Sequence, residues 1–377
     1  NNWGAKAKPI KGAHVFEVEN PGIYSNVGIF DFKSMYPSVM IKNNICPTSY
    51  TTEDTTDCVR SPLGAFFKQD KKGIVPTVLQ ELWTWRDKTK KKIEKPGDYY
   101  DRLQSSIKVI MNSFYGVMAS DFYRFTNPMI GGSITAFSRE GIKNAYTELE
   151  SRGLNVIYGD TDSVFVHLNT KEDPFYIAKE LSKDGMEMEV EKILSSFFTH
   201  GAKKRYAALV EWPKKDFYVM GYELKRGDSF KLQREILERV LRTILDNAPD
   251  DALMYASQKI REINEAELNL EDLIITKNVK APQHYANPAS MAGVQAATKL
   301  KARGYPWLAG TKVSWVVTNS NETPMEVEPY IENADYDIDP DRQYYAKRIV
   351  NTLSDIAAVF DWDDMGLRQG TKQLRLF

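Results

Sequence analysis

Cysteine is scarce in this 377-residue chain, which contains only Cys46 and Cys58. Their spacing matches no zinc-binding pattern, and so few thiols are typical of a reducing compartment, although the sequence leaves a disulfide between them open. Long apolar runs are also missing, since none approaches the roughly 20 residues that span a bilayer. The N-terminus lacks the pattern of a signal peptide. We therefore expect a cytoplasmic globular protein without a transmembrane segment.

An excess of either charge is missing as well, because 50 basic and 51 acidic side chains give a formal net charge of −1. The charges are nevertheless unevenly distributed. Basic residues concentrate in 86–95, 203–205, 277–280 and 299–303, and acidic residues in 187–191, 262–271 and 326–341. Each basic run alone is typical of a solvated helix face. Together they indicate local positive surfaces, which are what meet the phosphates of a nucleic acid.

The most informative segment is Tyr158-Gly159-Asp160-Thr161-Asp162-Ser163, which lies between two apolar runs. Strand-forming residues on both sides predict a tight β-hairpin with Gly159 at the bend. Asp160 and Asp162 would then crowd at its tip, where their mutual repulsion favours a bound cation. Carboxylate oxygens suit Mg²⁺, which completes its shell with water and substrate phosphates. An ordinary acidic surface turn is the simpler interpretation of this segment on its own.

Two other segments place polar groups where such a site could use them. Asp31 follows the apolar stretch 27–30, which predicts a buried strand, and strand ends commonly carry metal-binding carboxylates. Lys108, Asn112 and Tyr115 stand at positions i, i+4 and i+7 of a predicted helix. One face of that helix therefore carries a cation, an amide and an aromatic ring.

Four segments, taken in order, resemble the motifs of one protein family. The segment 31–38 (DFKSMYPS) resembles motif A of family B DNA polymerases, and 108–116 (KVIMNSFYG) resembles motif B. The Asp160/Asp162 hairpin is similar to motif C, and 203–206 to the Lys-Lys-Arg-Tyr motif. The resemblance runs from about Gly12 to near the C-terminus. It implies an α/β (α+β) right-hand polymerase fold with an antiparallel-sheet palm, α-hairpin fingers and a mainly helical thumb.

The resemblance also implies an activity: DNA-templated extension of a primer 3′-hydroxyl with deoxynucleoside triphosphates (dNTPs). Asp31 and Asp162 would bridge two Mg²⁺ ions, for which Mn²⁺ could substitute. Asp160 would have a less direct role in positioning the metal or the primer. The main-chain carbonyl of Phe32 would be a further metal ligand. Lys108 would donate a proton to the departing pyrophosphate.

Further nucleotide contacts are implied on the two fingers helices and after motif A. Arg86 and Lys90, four residues apart, would meet the triphosphate, although an exposed helix face explains their spacing equally simply. Tyr36 resembles a steric gate against a 2′-hydroxyl, with a core tyrosine as its alternative. The main-chain amides of Ser34 and Met35 and the side chain of Asn112 would also contact the nucleotide. Tyr115 and Gly116 would contact the nascent base pair.

Primer–template DNA is the other partner that the resemblance implies. Residues of the Lys-Lys-Arg-Tyr motif (Lys203, Lys204, Arg205 and Tyr206) would hold the primer strand near its terminus. Arg226 would add a contact at the start of the thumb, or form a structural ion pair with Asp228, because the Arg-x-Asp match is weak. Contacts to phosphates give affinity without sequence preference.

The expected domain layout follows the motifs. Residues 1–72 would form the first part of the palm, 73–120 the fingers, 121–225 the rest of the palm, and 226–377 the thumb with a C-terminal tail. Helical periodicity predicts helices over 75–95, 99–118, 134–152, 230–246 and 252–266. The polar, turn-rich segment 51–72 predicts a loop or small insertion.

Two departures from the family pattern lower the expectation of proofreading. Only 30 residues precede Asp31, too few for the 3′–5′ exonuclease domain that the family usually carries. The connector segment 10–13 (IKGA) lacks the tyrosine ring of the common Tyr-x-Gly-Gly/Ala pattern. A separate N-terminal or exonuclease polypeptide is therefore a candidate partner. The alternative function is a DNA-binding polymerase subunit that is inactive without that partner.

The C-terminal peptide suggests one more partner. Gln373, Leu374, Leu376 and Phe377 resemble the Gln-Leu-x-Leu-Phe peptide that docks onto bacterial sliding clamps. A disordered end is the alternative for five such residues.

Overall fold

The secondary structure consists of twelve strands and ten α-helices among the residues that the computed structural model describes, namely 10–12, 15–18, 20–120, 122–169, 172–183, 185–225, 227–266, 268–332 and 337–369. The strands are β1 (Gly22–Phe32), β2 (Tyr50–Thr51), β3 (Cys58–Arg60), β4 (Phe66–Lys68), β5 (Asn155–Asp160), β6 (Ser163–His167), β7 (Met188–Thr199), β8 (Tyr206–Trp212), β9 (Asp216–Met220), β10 (Ile275–Asn278), β11 (Lys312–Asn319) and β12 (Glu326–Pro329). The helices are α1 (Met35–Lys42), α2 (Ile74–Lys90), α3 (Tyr99–Ala119), α4 (Pro128–Ser151), α5 (Pro174–Leu181), α6 (Lys231–Leu245), α7 (Pro249–Glu265), α8 (Ala292–Ala302), α9 (Arg342–Val359) and α10 (Asp364–Gln369).

The chain divides into two structural units. Unit 1 comprises residues 1–19, 25–195 and 210–214, and unit 2 comprises 20–24, 196–209 and 215–377. The largest sheet has the strand order β5-β6-β1-β7-β8-β9, and two three-stranded sheets have the orders β2-β4-β3 and β10-β11-β12. No described helix is long and apolar enough to cross a bilayer.

In unit 1, β1 is the buried strand that the apolar stretch predicts. Val27, Ile29 and Phe30 are each at most 1% exposed, as expected for a strand covered on both faces. Strand β6 runs antiparallel to both β1 and β5. The apolar positions of this sheet therefore fix the register in which the polar ends of β1, β5 and β6 meet.

Helix α3 is amphipathic, and its two faces explain which side chains it offers to a ligand. Ile107, Met111 and Met118 are buried in the core of unit 1. Lys108 follows Ile107, Asn112 follows Met111, and both are exposed. The helix begins at a side-chain cap, because the Asp98 carboxylate accepts a hydrogen bond from the Asp101 N–H at 2.7 Å.

Segment 51–72 is not a simple loop, because it contributes to a small antiparallel sheet, and the alternative of a small insertion stays open. Strand β4 pairs with β2 and β3, and Phe67 of β4 is fully buried. The short strands of two or three residues gave too weak a periodic pattern to be recognised. Cys46 and Cys58 both carry free thiols, so the disulfide left open by the sequence does not form.

Unit 2 has its own core, built by α6, α7 and α9 with the sheet β10-β11-β12. Leu237, Leu241, Ile260 and Leu353 are each at most 1% exposed within it. Helices α6 and α7 begin and end within three residues of the predicted bounds. The sheet and the helices α8 and α9 were not predicted.

Candidate active site

Pairing of β1 with β6 brings the carboxylate of motif A beside the acidic hairpin. In this register Asp31 lies opposite Ser163, and Ser163 lies opposite Asp160 on its other side. The Phe32 main-chain N–H donates a hydrogen bond to the Asp162 carbonyl at 2.9 Å. Asp31 and Asp162 are therefore held next to each other by the main chain.

The hairpin has a two-residue turn, Thr161-Asp162, and its geometry corrects one expectation. Thr161 has a φ of +60°, so the left-handed residue of the turn is Thr161. Gly159 lies inside β5 rather than at the bend. It is needed there for close approach, because a Cβ at this position would lie 2.5 Å from Cδ2 of Phe16. The Phe16 N–H also donates to the Gly159 carbonyl at 2.9 Å, which fixes this side of the hairpin.

The two carboxylates repel each other in a poorly solvated place. Burial raises the pKa of Asp31 to about 8, and the charges of Asp162 and Glu191 add to that rise. Burial also raises the pKa of Asp162, and Asp160 adds to it. A cation would relieve both effects, so these residues fit a divalent metal site. Among the described residues, no group of three or more His, Cys, Asp or Glu side chains is placed so that it could hold a metal ion.

A cavity of about 310 Å³ opens at this point. The end of β1, the turn between β5 and β6, the start of α1 and the polar face of α3 surround this cavity. The side chains around it belong to Asp31, Phe32, Ser34, Met35, Tyr36, Lys108, Asn112, Tyr115, Thr161 and Asp162. Nine of these ten were named as site residues from the sequence, and Thr161 is the addition.

The start of α1 offers hydrogen-bond donors to an anion in this cavity. Ser34, which precedes the helix, has a φ of +48°. Its buried Oγ has no hydrogen-bond partner in the described chain. The main-chain N–H groups of Met35 and Tyr36 lie in the first turn, where an α-helix provides no internal acceptor and carries a partial positive charge. These groups suit a phosphate.

Two tyrosine rings line the same cavity. The rings of Tyr36 and Tyr115 have centroids 4.6 Å apart, at an angle of 48°. Burial raises the pKa of Tyr36 to about 12, with further contributions from Tyr115 and Asp162. Tyr36 is therefore a neutral phenol at physiological pH, half-buried in the wall of the cavity. Gly116 lies next to Tyr115 on α3 and is exposed.

The cations of α2 are not among the residues that line the cavity. Arg86 is only 8% exposed, and its Nε donates to Oε1 of Gln104 on α3 at 3.2 Å. Lys90 is half-buried, and burial together with the charge of Arg86 lowers its pKa. The alternative of an exposed helix face is therefore wrong for both residues.

Acidic residues at the start of β7 act on the site electrostatically, which sequence reasoning missed. Glu187, Glu189 and Glu191 are exposed and alternate with the buried Met188 and Val190. Because alternate residues of a strand point to the same side, the three glutamates share one face of the strand. Glu191 and Glu189 both raise the pKa of Asp31. The E-x-E-x-E alternation was the available signal.

Lys33, the third residue of motif A, is tied to Glu187 and to an acidic side chain of α2. Its Nζ pairs with Glu187 at 3.0 Å and lies 4.0 Å from Asp87 of α2. Its main-chain N–H donates to the Glu187 carbonyl at 2.9 Å. Lys33 therefore links the end of β1 to the residue before β7.

The Lys-Lys-Arg-Tyr segment belongs to unit 2, where its members have different surroundings. Lys203 and Lys204 are exposed. Arg205 pairs with Asp355 at 2.7 Å and with Glu223 at 3.5 Å. Tyr206 is 5% exposed. Arg205 and Tyr206 thus make contacts inside unit 2, while the two lysines are accessible to a ligand.

Some predicted residues lie outside the described part of the chain. They are Ala13 of the connector, Arg226, and the C-terminal peptide with Gln373, Leu374, Leu376 and Phe377. Asp228, the proposed ion-pair partner of Arg226, lies 3.5 Å from Nζ of Lys277.

Fold and site together define a mixed α/β protein in which two strand-end carboxylates meet the cationic face of a helix. The family model of DNA polymerase family B matches residues 2–359. A DNA polymerase of Archaeoglobus fulgidus is 34% identical over 84% of this chain and 41% of its own length. DNA polymerase II of Escherichia coli is 27% identical over 97% of this chain and 49% of its own.

A solved structure agrees with the sequence comparisons. The family B DNA polymerase of Pyrobaculum calidifontis superposes with a TM-score of 0.71 at 30% identity, over 95% of this chain and 48% of that one. The chain therefore belongs to DNA polymerase family B. It spans less than half the length of each of these relatives.

Proposed function

We propose that this chain is a DNA-templated DNA polymerase that extends a primer 3′-hydroxyl with dNTPs. The observation that carries the proposal is the placement of Asp31 beside Asp162, across one cavity from Lys108 and Asn112. Carboxylates to hold divalent cations, with donors to hold phosphates, are the groups that phosphoryl transfer requires.

Asp31 and Asp162 are the residues that would hold two Mg²⁺ ions, for which Mn²⁺ could substitute, with Asp160 and the Phe32 carbonyl as further ligands. The raised pKa values of Asp31 and Asp162 support this role, because a cation replaces the proton that each would otherwise retain. When bound, such ions stabilise charge on the attacking and leaving oxygens.

The protein's own groups would position the nucleotide for an in-line displacement. A bond forms between the primer 3′-oxygen and the α-phosphorus, and the bond from that phosphorus to the pyrophosphate oxygen breaks. The proton of the 3′-hydroxyl passes to solvent water, and the ammonium group of Lys108 supplies a proton to the departing pyrophosphate. The main-chain amides of Ser34 and Met35 and the side chain of Asn112 donate to the phosphates, and this fixes their orientation.

Selection of the nucleotide would depend on the two tyrosines. The ring of Tyr36 lies under the sugar and excludes a 2′-hydroxyl. Tyr115 and Gly116 face the nascent base pair. The contact between the two rings supports this division, because Tyr115 limits the movement of Tyr36.

Arg86 and Lys90 would reach the triphosphate from α2. Their lowered pKa values, caused mainly by burial, show that each charge is held at a desolvation cost that an anionic ligand would offset. Neither side chain lines the cavity, so their contact would be with a part of the triphosphate outside it or would follow a movement of α2.

The domain roles remain part of the proposal. Residues 1–72 and 121–225 would act as the palm, 73–120 as the fingers and 226–377 as the thumb. Lys203 and Lys204 would contact primer phosphates, and Arg226 would assist from the thumb. Arg205 and Tyr206 would act indirectly, because they pack inside unit 2.

Partners beyond DNA are proposed from the sequence. A separate N-terminal or exonuclease polypeptide is proposed as a partner that would supply proofreading. The peptide 373–377 would dock on a sliding clamp. Deletion of 373–377 should abolish stimulation by the clamp, and undiminished stimulation would remove this assignment.

Primer extension tests the main proposal against the alternative of a DNA-binding subunit. We expect the chain to extend a primer with all four dNTPs in Mg²⁺, and not in EDTA. Binding of primer–template without extension would favour a subunit that needs its N-terminal partner, and adding that polypeptide should then restore activity. Asp54→Asn, at an exposed residue of unit 1, is a matched control that should extend like the parent chain.

A further inference from the structure

The turn between α3 and α4 carries an unusual density of exposed aromatic rings. Phe122 is 97% exposed, Phe125 67% and Tyr123 53%. Arg124, between them, is exposed as well. These four residues are called the aromatic turn below. Single exposed apolar side chains are normal, but contiguous exposed apolar groups mark an interaction site.

The aromatic turn is held in place by hydrogen bonds at its base. The Tyr123 N–H donates to the Ser120 carbonyl at 3.2 Å, and the Thr126 N–H donates to the Tyr123 carbonyl at 3.3 Å. The Thr126 hydroxyl and the Asn127 N–H reach back to carbonyls of the last turn of α3, at 3.2 Å and 3.3 Å. Hydrogen bonds therefore tie the described residues of the aromatic turn to the end of α3.

Close packing of the two helices adds to these contacts. A Cβ at Gly131, in the first turn of α4, would lie 2.9 Å from Cα of Ala119, at the end of α3. The two helix ends thus touch through small residues, which limits movement of the turn between them. A preorganised turn loses little conformational entropy when a ligand binds.

The aromatic turn also continues directly from the candidate active site. Tyr115, which lines the cavity, precedes the end of α3 at Ala119 by four residues. Four residues of α-helix rise about 6 Å. That distance corresponds to about two stacked nucleotides of a DNA strand.

We propose that the aromatic turn is a stacking surface for unpaired template bases that have not yet reached the active site. This inference rests on the proposed function, because it takes Tyr115 to face the nascent base pair. Planar rings bind any base through its π-face, and an interleaved arginine adds attraction to phosphates and bases. The arginine favours single-stranded DNA over an apolar protein surface as the occupant.

Binding of two primer–templates tests the inference. One carries a single unpaired template nucleotide, and the other carries six. The parent chain should bind the six-nucleotide DNA at least about fivefold more tightly, since each stacked base contributes a factor of that order or more. The variant Phe122→Leu/Tyr123→Leu/Phe125→Leu keeps apolar side chains but removes the rings, and it should lose most of this gain.

A fluorescent base adds a readout for stacking itself. With 2-aminopurine at the second unpaired template position, the parent chain should quench the fluorescence, and the Leu variant should not. Phe175→Leu/Tyr176→Leu is the matched control, because these aromatic residues of α5 are also exposed, by 49% and 59%. This control variant should keep both the tighter binding of the six-nucleotide DNA and the quenching of 2-aminopurine. If thermal unfolding shows that the triple variant is misfolded, Phe122→Leu alone serves instead.

The outcomes separate this inference from the proposed function. If the parent chain extends the shorter DNA but binds both DNAs equally, the inference is overturned. The aromatic turn would then be a surface for a protein partner. A full gain in a folded Leu variant would overturn it as well. A parent chain that neither binds nor extends the shorter DNA would contradict the proposed function, and the inference with it.

Discussion

The main-chain N–H of Phe32 and the main-chain carbonyl of Asp162 form a hydrogen bond of 2.9 Å between the end of β1 and the turn of the acidic hairpin. Because Phe32 follows Asp31 directly, this bond sets the spacing of the two carboxylates through the backbone. The cost of bringing like charges together is therefore met during folding, before any cation or nucleotide binds.

The close contact of Gly159 with Phe16 should be essential to that arrangement. Gly159→Ala places a Cβ 2.5 Å from the Phe16 ring, so either the ring or the hairpin must shift. We expect a loss of about 1–3 kcal/mol in the free energy of unfolding. Chemical denaturation measures it. A second substitution, Phe16→Ala, should remove the clash, so the double variant should be more stable than the sum of the two single effects predicts. Strictly additive effects would contradict the role of this contact.

Sequence reasoning located the centre of the site because its parts are tied to strong local patterns. Asp31 follows a continuous apolar run and Asp162 lies in a turn between two apolar runs, so the sequence predicts each element, whereas their proximity is expected only from the family resemblance. The position of Gly159 was misjudged because glycine at a turn and glycine at a close contact look the same in sequence. Phe16, which creates that contact, is 143 residues away in the chain.

Other parts of the site could not be predicted because they depend on tertiary contacts. The i,i+4 spacing of Arg86 and Lys90 is that of any basic helix, and only the hydrogen bond from Arg86 to Gln104 reveals its burial. In the sequence, 187–191 is only an acidic run, because its influence on Asp31 depends on the pairing of β7 with β1. The small sheet around Phe67 was missed because strands of two or three residues carry almost no periodic signal.

Tyr36 should control discrimination against ribonucleotides. Tyr36→Ala removes a ring that is half-buried against Tyr115, and we expect incorporation of ribonucleotides relative to deoxynucleotides to rise about 10- to 100-fold. Competition between dCTP and CTP opposite a template guanine measures this ratio. Tyr36→Phe is the matched control, and it should keep the selectivity because the ring remains. An unaltered ratio in Tyr36→Ala would remove the steric-gate assignment.

The two cations of α2 should differ in what their removal costs. Lys90 is half-buried and makes no side-chain hydrogen bond with another described residue, so Lys90→Ala should raise the KM for dNTPs about tenfold with little effect on stability. Arg86 is buried and bonded to Gln104, so Arg86→Ala should raise KM and also reduce the free energy of unfolding by about 1–3 kcal/mol. Steady-state kinetics and chemical denaturation measure the two effects. Unchanged KM values in both variants would contradict a role in triphosphate binding.

The raised pKa of Asp31 predicts how metal-free stability depends on pH. The folded state holds the Asp31 proton up to its raised pKa of about 8, whereas the unfolded state releases it near the ordinary pKa of 3.8. The folded state therefore binds more protons, so this group lowers stability as pH rises from about 4 to 8. Asp31→Asn removes that contribution, and it should flatten the fall in Tm measured in EDTA across this range.

Addition of Mg²⁺ gives the complementary result. A cation that displaces the proton should raise the Tm of the parent chain more at pH 8 than at pH 5. In Asp31→Asn this pH-dependent gain should be largely absent. Equal gains in the parent and the variant would show that Mg²⁺ binds elsewhere.

Single-turnover incorporation of one dNTP in Mg²⁺ tests the central claim most directly, with the parent chain, Asp31→Asn, Asp162→Asn and the double variant compared. If the two carboxylates act as one metal-holding unit, each single variant should lose at least about 10³-fold in rate, and the double variant should be hardly slower than either. Primer–template binding should persist in all four. A single variant that keeps the parent rate while remaining folded would contradict the account.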